Sequence, residues 1–148
     1  MSKDNTIGKV LALISGLLGL LCVLGYYLIE ELGAWWKIES IIGDLYINAF
    51  GYRNDNMIFS EINFISGIIF LIGTVLILFN IVSTSKKVSL ISFVVMVIGL
   101  ILYYIGLSLE YEEISGDIPG FVSWGLGIGF YIGIGATILA LISAVDMD

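Results

Sequence analysis

The sequence predicts an all-α membrane protein, a left-handed four-helix transmembrane bundle with a small extracellular cap. Hydrophobic residues make up 59% of the 148 positions and charged residues 13%, whereas soluble domains hold about 45–50% and about 25%. Apart from Lys9, the charges lie between four apolar runs. Each run holds roughly 20 residues or more, enough for a helix to cross a hydrocarbon core of about 30 Å. We therefore expect a single multi-pass membrane domain.

The boundaries of the predicted elements follow the apolar runs. The spans cover residues 7–29, 62–82, 88–109 and 119–145, the outer loops 30–61 and 110–118, and the cytoplasmic turn 83–87. The first span could also be a signal peptide cleaved after Leu32-Gly33-Ala34. Its apolar run is longer than the usual stretch of about 7–15 residues, so we expect it to be retained.

Basic residues predict the orientation of the chain. The amino terminus and the turn hold Lys3, Lys9, Lys86 and Lys87, whereas the outer loops hold only Lys37 and Arg53. Because short cytoplasmic segments are enriched in lysine and arginine, both termini are expected in the cytoplasm, with the protein in the cell membrane.

The first outer loop is the main candidate for a folded segment outside the membrane. Apolar spacing predicts a short surface helix over Ala34–Ile42, and strand formers over Leu45–Phe50 predict a β-hairpin that returns through Met57–Phe59. Such a hairpin needs a surface to pack on, which a partner or another copy could supply. The candidate contact residues are the aromatic residues of this loop: Trp35, Trp36, Tyr46, Phe50, Tyr52 and Phe59.

Small and polar residues recur every seven positions in the first three spans. These seams are Gly8, Ser15 and Cys22; Ser66, Gly73 and Asn80; and Ser92, Gly99 and Gly106. A seven-residue repeat keeps one helix face toward its neighbours in a left-handed bundle. The seams therefore predict the interior of the bundle.

The fourth span has a different pattern, with small residues four apart. Gly125, Gly129, Gly133 and Thr137 would form a groove on a helix, a surface on which two helices approach closely in lipid. The groove predicts a helix-packing interface with another copy or another protein. The alternative is that the first span fills it through Gly8, Ala12 and Gly16.

The sequence offers little for catalysis or ligand binding. It has no histidine and one cysteine, so we expect no metal, no cofactor and no catalytic residues. The net charge of −7 argues against nucleic acid. Pumps and coupled transporters need ionisable residues at depth, and the spans hold only Lys9 at one end. The outer acids are expected to form a solvated rim, not a calcium site: Glu110, Glu112, Glu113 and Asp117.

The layout resembles the claudin-like tetraspan proteins, which include the peripheral myelin proteins. The similarity lies in four spans, internal termini, a longer first outer loop with Trp35-Trp36, and Tyr131-Ile132-Gly133 before Ala136 in the fourth span. The paired loop cysteines of claudins have no counterpart, since Cys22 is the only cysteine. The resemblance implies lateral assembly and contact through the outer loops.

These observations predict a non-enzymatic structural or interaction protein of the membrane. It would contact lipid and form a homo-oligomer or join a membrane protein complex through its small-residue helix faces and outer loops. One alternative is an accessory subunit of a larger membrane enzyme. Another is a pore-forming oligomer whose acidic outer rim selects cations.

Overall fold

The computed structural model describes residues 6–29, 32–41, 43–53, 56–57, 61–117 and 121–147. The helices are α1 (Thr6–Leu24), α2 (Glu61–Ser83), α3 (Lys86–Asp117) and α4 (Ile128–Val145), and a 3₁₀ turn at Gly25–Tyr27 follows α1. The strands are β1 (Trp36–Ser40), β2 (Gly43–Ile47), β3 (Tyr52–Arg53), β4 (Asn56–Met57) and β5 (Phe121–Leu126).

The four helices pack in a ring. α1 contacts α2 and α4, and α3 also contacts α2 and α4. All four are long and apolar enough to cross a membrane. Their outward side chains are large and apolar, as Ile72, Val75 and Phe79 on α2 illustrate, each more than half exposed. An apolar exterior suits lipid as the surrounding solvent, and the chain is a multi-pass membrane protein.

The small and polar residues that the seven-residue spacing singled out lie in the bundle interior, together with larger apolar side chains such as Phe70, Ile77 and Met96. Every member of the three seams is buried, from Gly8 and Cys22 on α1 to Gly106 on α3. Asn63 and Asn80 on α2 are also fully buried. In lipid, close backbone approach and hydrogen bonds between helices hold such an interior together. The predicted bundle interior is therefore confirmed.

A three-stranded antiparallel sheet in the order β2-β1-β5 lies at the end of the bundle where α1 and α3 end and α2 and α4 begin. We call this the sheet end, and the opposite end, with the α2–α3 connection, the turn end. β1 pairs with β2 from Trp36↔Ile47 to Ser40↔Gly43. It also pairs with β5, which precedes α4. The sheet therefore joins the predicted first outer loop to the beginning of the segment predicted as the fourth span.

The first of these segments differs from its prediction. The helix expected over Ala34–Ile42 is wrong, because β1 occupies Trp36–Ser40. Leu45–Ile47 belongs to a hairpin, but one that pairs back with β1. A separate short ribbon joins β3 to β4. The helix was predicted from apolar residues at positions 35, 38 and 42. Trp36 to Glu39 also alternate between apolar and polar residues, which is the pattern of a strand, and pairing with two neighbours favours the strand.

The second segment also differs from its prediction. The apolar run expected to be one span over 119–145 divides into β5 and the shorter helix α4. α3 continues to Asp117, so residues expected in a loop are helical. Hydropathy does not distinguish a strand from a helix in an apolar run. The acids that end the apolar part of α3 are compatible with a helix, since glutamate is a good helix former.

Candidate interaction site at the sheet end

Trp35 connects the sheet to the bundle. It precedes β1, is fully buried, and its indole Nε1 donates a hydrogen bond to the Cys22 carbonyl oxygen of α1 at 2.9 Å. Its ring meets Phe70 of α2, Tyr103 of α3 and Phe130 of α4 edge-on, with centroids 4.9, 5.1 and 5.5 Å away. Edge-to-face packing at these separations is the favoured arrangement of aromatic rings. One side chain thus contacts all four helices.

Backbone hydrogen bonds fix the chain on both sides of Trp35. Its own N–H donates to the Ile47 carbonyl oxygen at 2.9 Å, and its carbonyl oxygen accepts from the Gly127 N–H at 3.0 Å. The Gly129 N–H donates to the Ala34 carbonyl oxygen at 2.8 Å. The start of α4 is thereby held against the start of β1.

The segment after β2 is held by buried polar groups. The Tyr103 hydroxyl donates to the Asn48 carbonyl oxygen at 2.9 Å, and the Asn63 amide donates to the Tyr103 carbonyl oxygen at 2.9 Å. The Tyr26 hydroxyl donates to the Tyr46 carbonyl oxygen at 3.0 Å. These contacts hold the sheet end against the helices. We call the three-stranded sheet, with Trp35 and Asn48 that attach it to the bundle, the platform.

The aromatic residues expected to contact partners occupy different environments. Trp35 and Trp36 are buried, so they support the platform and are not exposed on it. Tyr46 and Phe50 are partly buried. The side chain of Tyr52 and the whole of Phe59 lie outside the described residues. Trp35 follows the first predicted span and its 3₁₀ turn, but its contact with three other rings depends on tertiary packing, which the sequence does not show.

Sequence reasoning missed a strongly exposed apolar residue among the described residues of the platform. Ile41 lies in the two-residue connection between β1 and β2 and is 84% exposed. Two-residue hairpin connections favour Asn-Gly or Asp-Gly, because these residues suit the turn geometry. Isoleucine is not among the residues that favour such a turn. Its presence there was the one sequence signal that this position has a role other than forming the turn.

The described charges of the platform form a weak ion pair. The Lys37 Nζ lies 3.8 Å from the Glu39 Oε1, and both side chains are at least one-third exposed. Residues two apart on a strand share a face, so this contact follows from the strand geometry. Exposed pairs of this kind contribute at most about 1 kcal/mol to stability.

The predicted glycine groove is filled from within the chain. Gly129, Gly133 and Thr137 lie on α4 and are buried, and the Thr137 hydroxyl donates to the Gly133 carbonyl oxygen at 2.7 Å. Gly125 lies on β5, where it pairs with Lys37. The four residues therefore do not form one helical face. Gly129 approaches the backbone of Gly33 and Ala34, which takes the space a partner helix would need.

α1 packs against α4 beside the groove. The Ser15 hydroxyl donates to the Ala136 carbonyl oxygen at 2.6 Å, and the Ser143 hydroxyl donates to the Gly8 carbonyl oxygen at 2.8 Å. All three α1 residues expected to fill the groove, Gly8, Ala12 and Gly16, are buried. Gly16 approaches Leu78 of α2 instead.

Asn80 organises the turn end. Its Oδ1 accepts from the Ser83 hydroxyl at 2.7 Å and from the Ser85 N–H at 2.8 Å. Its Nδ2 donates to the Ser85 carbonyl oxygen at 3.0 Å and to the Ser89 hydroxyl. Thr84 adopts a positive φ of 46°, the only described non-glycine residue to do so. Asn80 thus accounts for the tight α2–α3 connection.

In the part of the chain that the structure describes, no three histidine, cysteine, aspartate or glutamate residues come together as a metal site. The side chains of Glu110, Glu112, Glu113 and Asp117 lie outside the description, although their backbone belongs to α3. No protein-family model matches the chain, and no curated protein or solved structure is detectably similar to it.

Proposed function

We propose that the protein is a non-enzymatic interaction protein of the cell membrane that binds partner proteins through its sheet end. In this proposal both termini are cytoplasmic, the sheet end is extracellular, and the bundle is left-handed. The resemblance to claudin-like tetraspan proteins belongs to the same proposal. The predicted assembly through the groove of Gly125, Gly129, Gly133 and Thr137 does not, because the last three are buried within the chain.

The observation that carries the proposal is the exposure of Ile41 at the tip of the β1–β2 hairpin. An isolated exposed apolar residue is common on protein surfaces. Here, however, it occupies a turn position that favours small or polar residues, on a platform held by Trp35 and buried hydrogen bonds. A rigid support lowers the entropic cost of binding, so an apolar tip on such a support suits contact with a protein partner.

The test compares two equally exposed apolar residues. Ile41 and Leu28 are 84% and 83% exposed, and Leu28 follows the 3₁₀ turn after α1. Ile41→Asn is expected to reduce partner recovery after chemical cross-linking in native membranes, whereas Leu28→Asn leaves it unchanged. Both variants are expected to elute like the unmodified protein in detergent, because neither side chain is packed.

Three outcomes would contradict the proposal. The first is equal partner recovery by both variants. The second is a stoichiometric membrane enzyme that remains bound to the Ile41→Asn protein, which would indicate an accessory subunit instead. The third is cation conductance in reconstituted bilayers that neutralising Glu110, Glu112 and Glu113 abolishes, which would indicate a pore.

A further inference from the structure

A shallow, open cleft of about 320 Å³ lies between α3 and α4, on the half of the bundle nearer the sheet end. From α3 it is lined by one helical stripe: Val97, Leu100, Ile101, Tyr104 and Ile105. From α4 it is lined by Phe130 and Ile134. The volume is at the lower limit of ligand-binding pockets, which measure about 300–1,000 Å³.

The lining determines what can occupy the cleft. Apart from the Tyr104 hydroxyl, these side chains are apolar, and a trapped water needs about 2–4 polar partners. Ile101, Tyr104 and Ile105 are 54%, 56% and 45% exposed, so the cleft is open to its surroundings. Their stretch of α3 belongs to the membrane-spanning part, Lys86–Ser108. The surroundings of the cleft are therefore hydrocarbon.

We infer that the cleft binds one acyl chain of a phospholipid from the leaflet at the sheet end. The stripe from Val97 to Ile105 rises about 12 Å at about 1.5 Å per residue, which is less than half of a hydrocarbon core of about 30 Å. The site therefore fits within one leaflet. Its walls combine branched aliphatic side chains with the rings of Tyr104 and Phe130, which differ in size and shape. A flexible chain follows such a surface, whereas a rigid sterol needs a flatter one.

Its position between two helices distinguishes this site from ordinary lipid contact. An acyl chain in the cleft touches two helices at once, whereas a chain on the outward face of α2, at Ile72, Val75 and Phe79, touches one. Dispersion attraction adds up over atom pairs, so the chain in the cleft is held longer than its neighbours.

The experiment uses the full chain in phosphatidylcholine nanodiscs with a trace of phosphatidylcholine that carries a photoreactive diazirine in its acyl chain. After irradiation, mass spectrometry of peptides measures labelling along each helix. Labelling around residues 97–105 and 130–134 is expected to exceed that around residues 72–79 by about threefold, a ratio that a few additional dispersion contacts supply.

Two variants of α3 test the location. Ile101 lines the cleft, whereas Ile98, one turn away and 44% exposed, does not. Ile101→Trp fills the cleft and is expected to reduce its labelling to the level of α2, and Ile98→Trp is expected to leave it unchanged. Uniform labelling around the bundle, or equal labelling in both variants, would overturn the inference. Displacement of the label by cholesterol but not by added phosphatidylcholine would also overturn it, because the occupant would then be a sterol.

Discussion

Three glycines of α4 provide the sharpest test of the packing. A methyl group on Gly129 would lie 2.8 Å from the carbonyl carbon of Gly33 and 2.9 Å from the carbonyl oxygen of Ala34. On Gly133 it would lie 3.4–3.5 Å from Phe70, Cys22 and Leu100, which is ordinary contact. On Gly135 it would meet nothing within 4 Å. The same substitution to alanine therefore tests three environments of one helix.

The expected changes in the free energy of unfolding differ in sign. At Gly129 overpacking costs about 1–3 kcal/mol, and weakening the Gly129–Ala34 hydrogen bond costs about 1 kcal/mol more. The higher helix propensity of alanine offsets at most about 1 kcal/mol of this destabilisation. Gly129→Ala is thus expected to destabilise the fold by about 2 kcal/mol. Gly135→Ala is expected to raise the free energy of unfolding by up to about 1 kcal/mol, from helix propensity alone. The free energy of unfolding of Gly133→Ala is expected to lie between those of the other two variants.

The measurement is reversible unfolding in mixed dodecylmaltoside and SDS micelles, followed by circular dichroism. The expected order of stability is Gly135→Ala, then Gly133→Ala, then the unmodified protein, then Gly129→Ala. An unchanged unfolding midpoint for Gly129→Ala would refute the close approach of α4 to the chain before β1. Because the groove is internal, loss of association in a Gly129→Leu variant is expected to accompany loss of the fold.

Three further substitutions test individual contacts. Trp35→Phe removes the hydrogen bond to Cys22 and part of the ring packing, and is expected to lower the free energy of unfolding by about 1–2 kcal/mol; an unchanged SDS midpoint would contradict this role. Asn80→Ala leaves the backbone groups of Ser85 without their side-chain partner, which is expected to cost about 1–3 kcal/mol and to accelerate hydrogen exchange at the Ser85 amide. Thr84→Gly relieves a left-handed conformation that costs other residues roughly 1–2 kcal/mol. Because glycine also loses more entropy on folding, a smaller gain of about 0.5–1 kcal/mol is expected, and a lower SDS midpoint would count against it.

The sequence predicts the membrane-embedded part of this fold well, because its signals are local. Seven-residue spacing identified Ser66, Gly73 and Asn80 as interior residues, and all three are buried. Whether such a residue faces the interior depends only on the periodicity of its own helix. The four spans were recognised for the same reason, since the length of an apolar run is read within a single segment.

The sheet end was poorly predicted because its contacts join distant segments. Phe121–Leu126 is apolar enough to extend a span, and only its pairing with β1 makes it a strand. Trp35, Phe70 and Phe130 come from different elements, so no spacing in the sequence relates them. The one signal available in the sequence was the distance of each ring from the sheet end. Phe70 and Phe130 each lie within about three turns of the start of their helix, and both helices start at the sheet end.

The position of β1 between β2 and β5 has a consequence for biogenesis. β1 ends at Ser40 and β5 begins at Phe121, so the second neighbour of the central strand is synthesised 81 residues later. At about 5–20 residues per second, the ribosome needs roughly 4 to 16 seconds for this stretch. Until then Trp35 lacks the ring of Phe130, and Ser15 of α1 lacks the carbonyl oxygen of Ala136. A nascent chain therefore exposes the small-residue face of α1, with Ser15, and an open strand edge to the insertion machinery until α4 arrives.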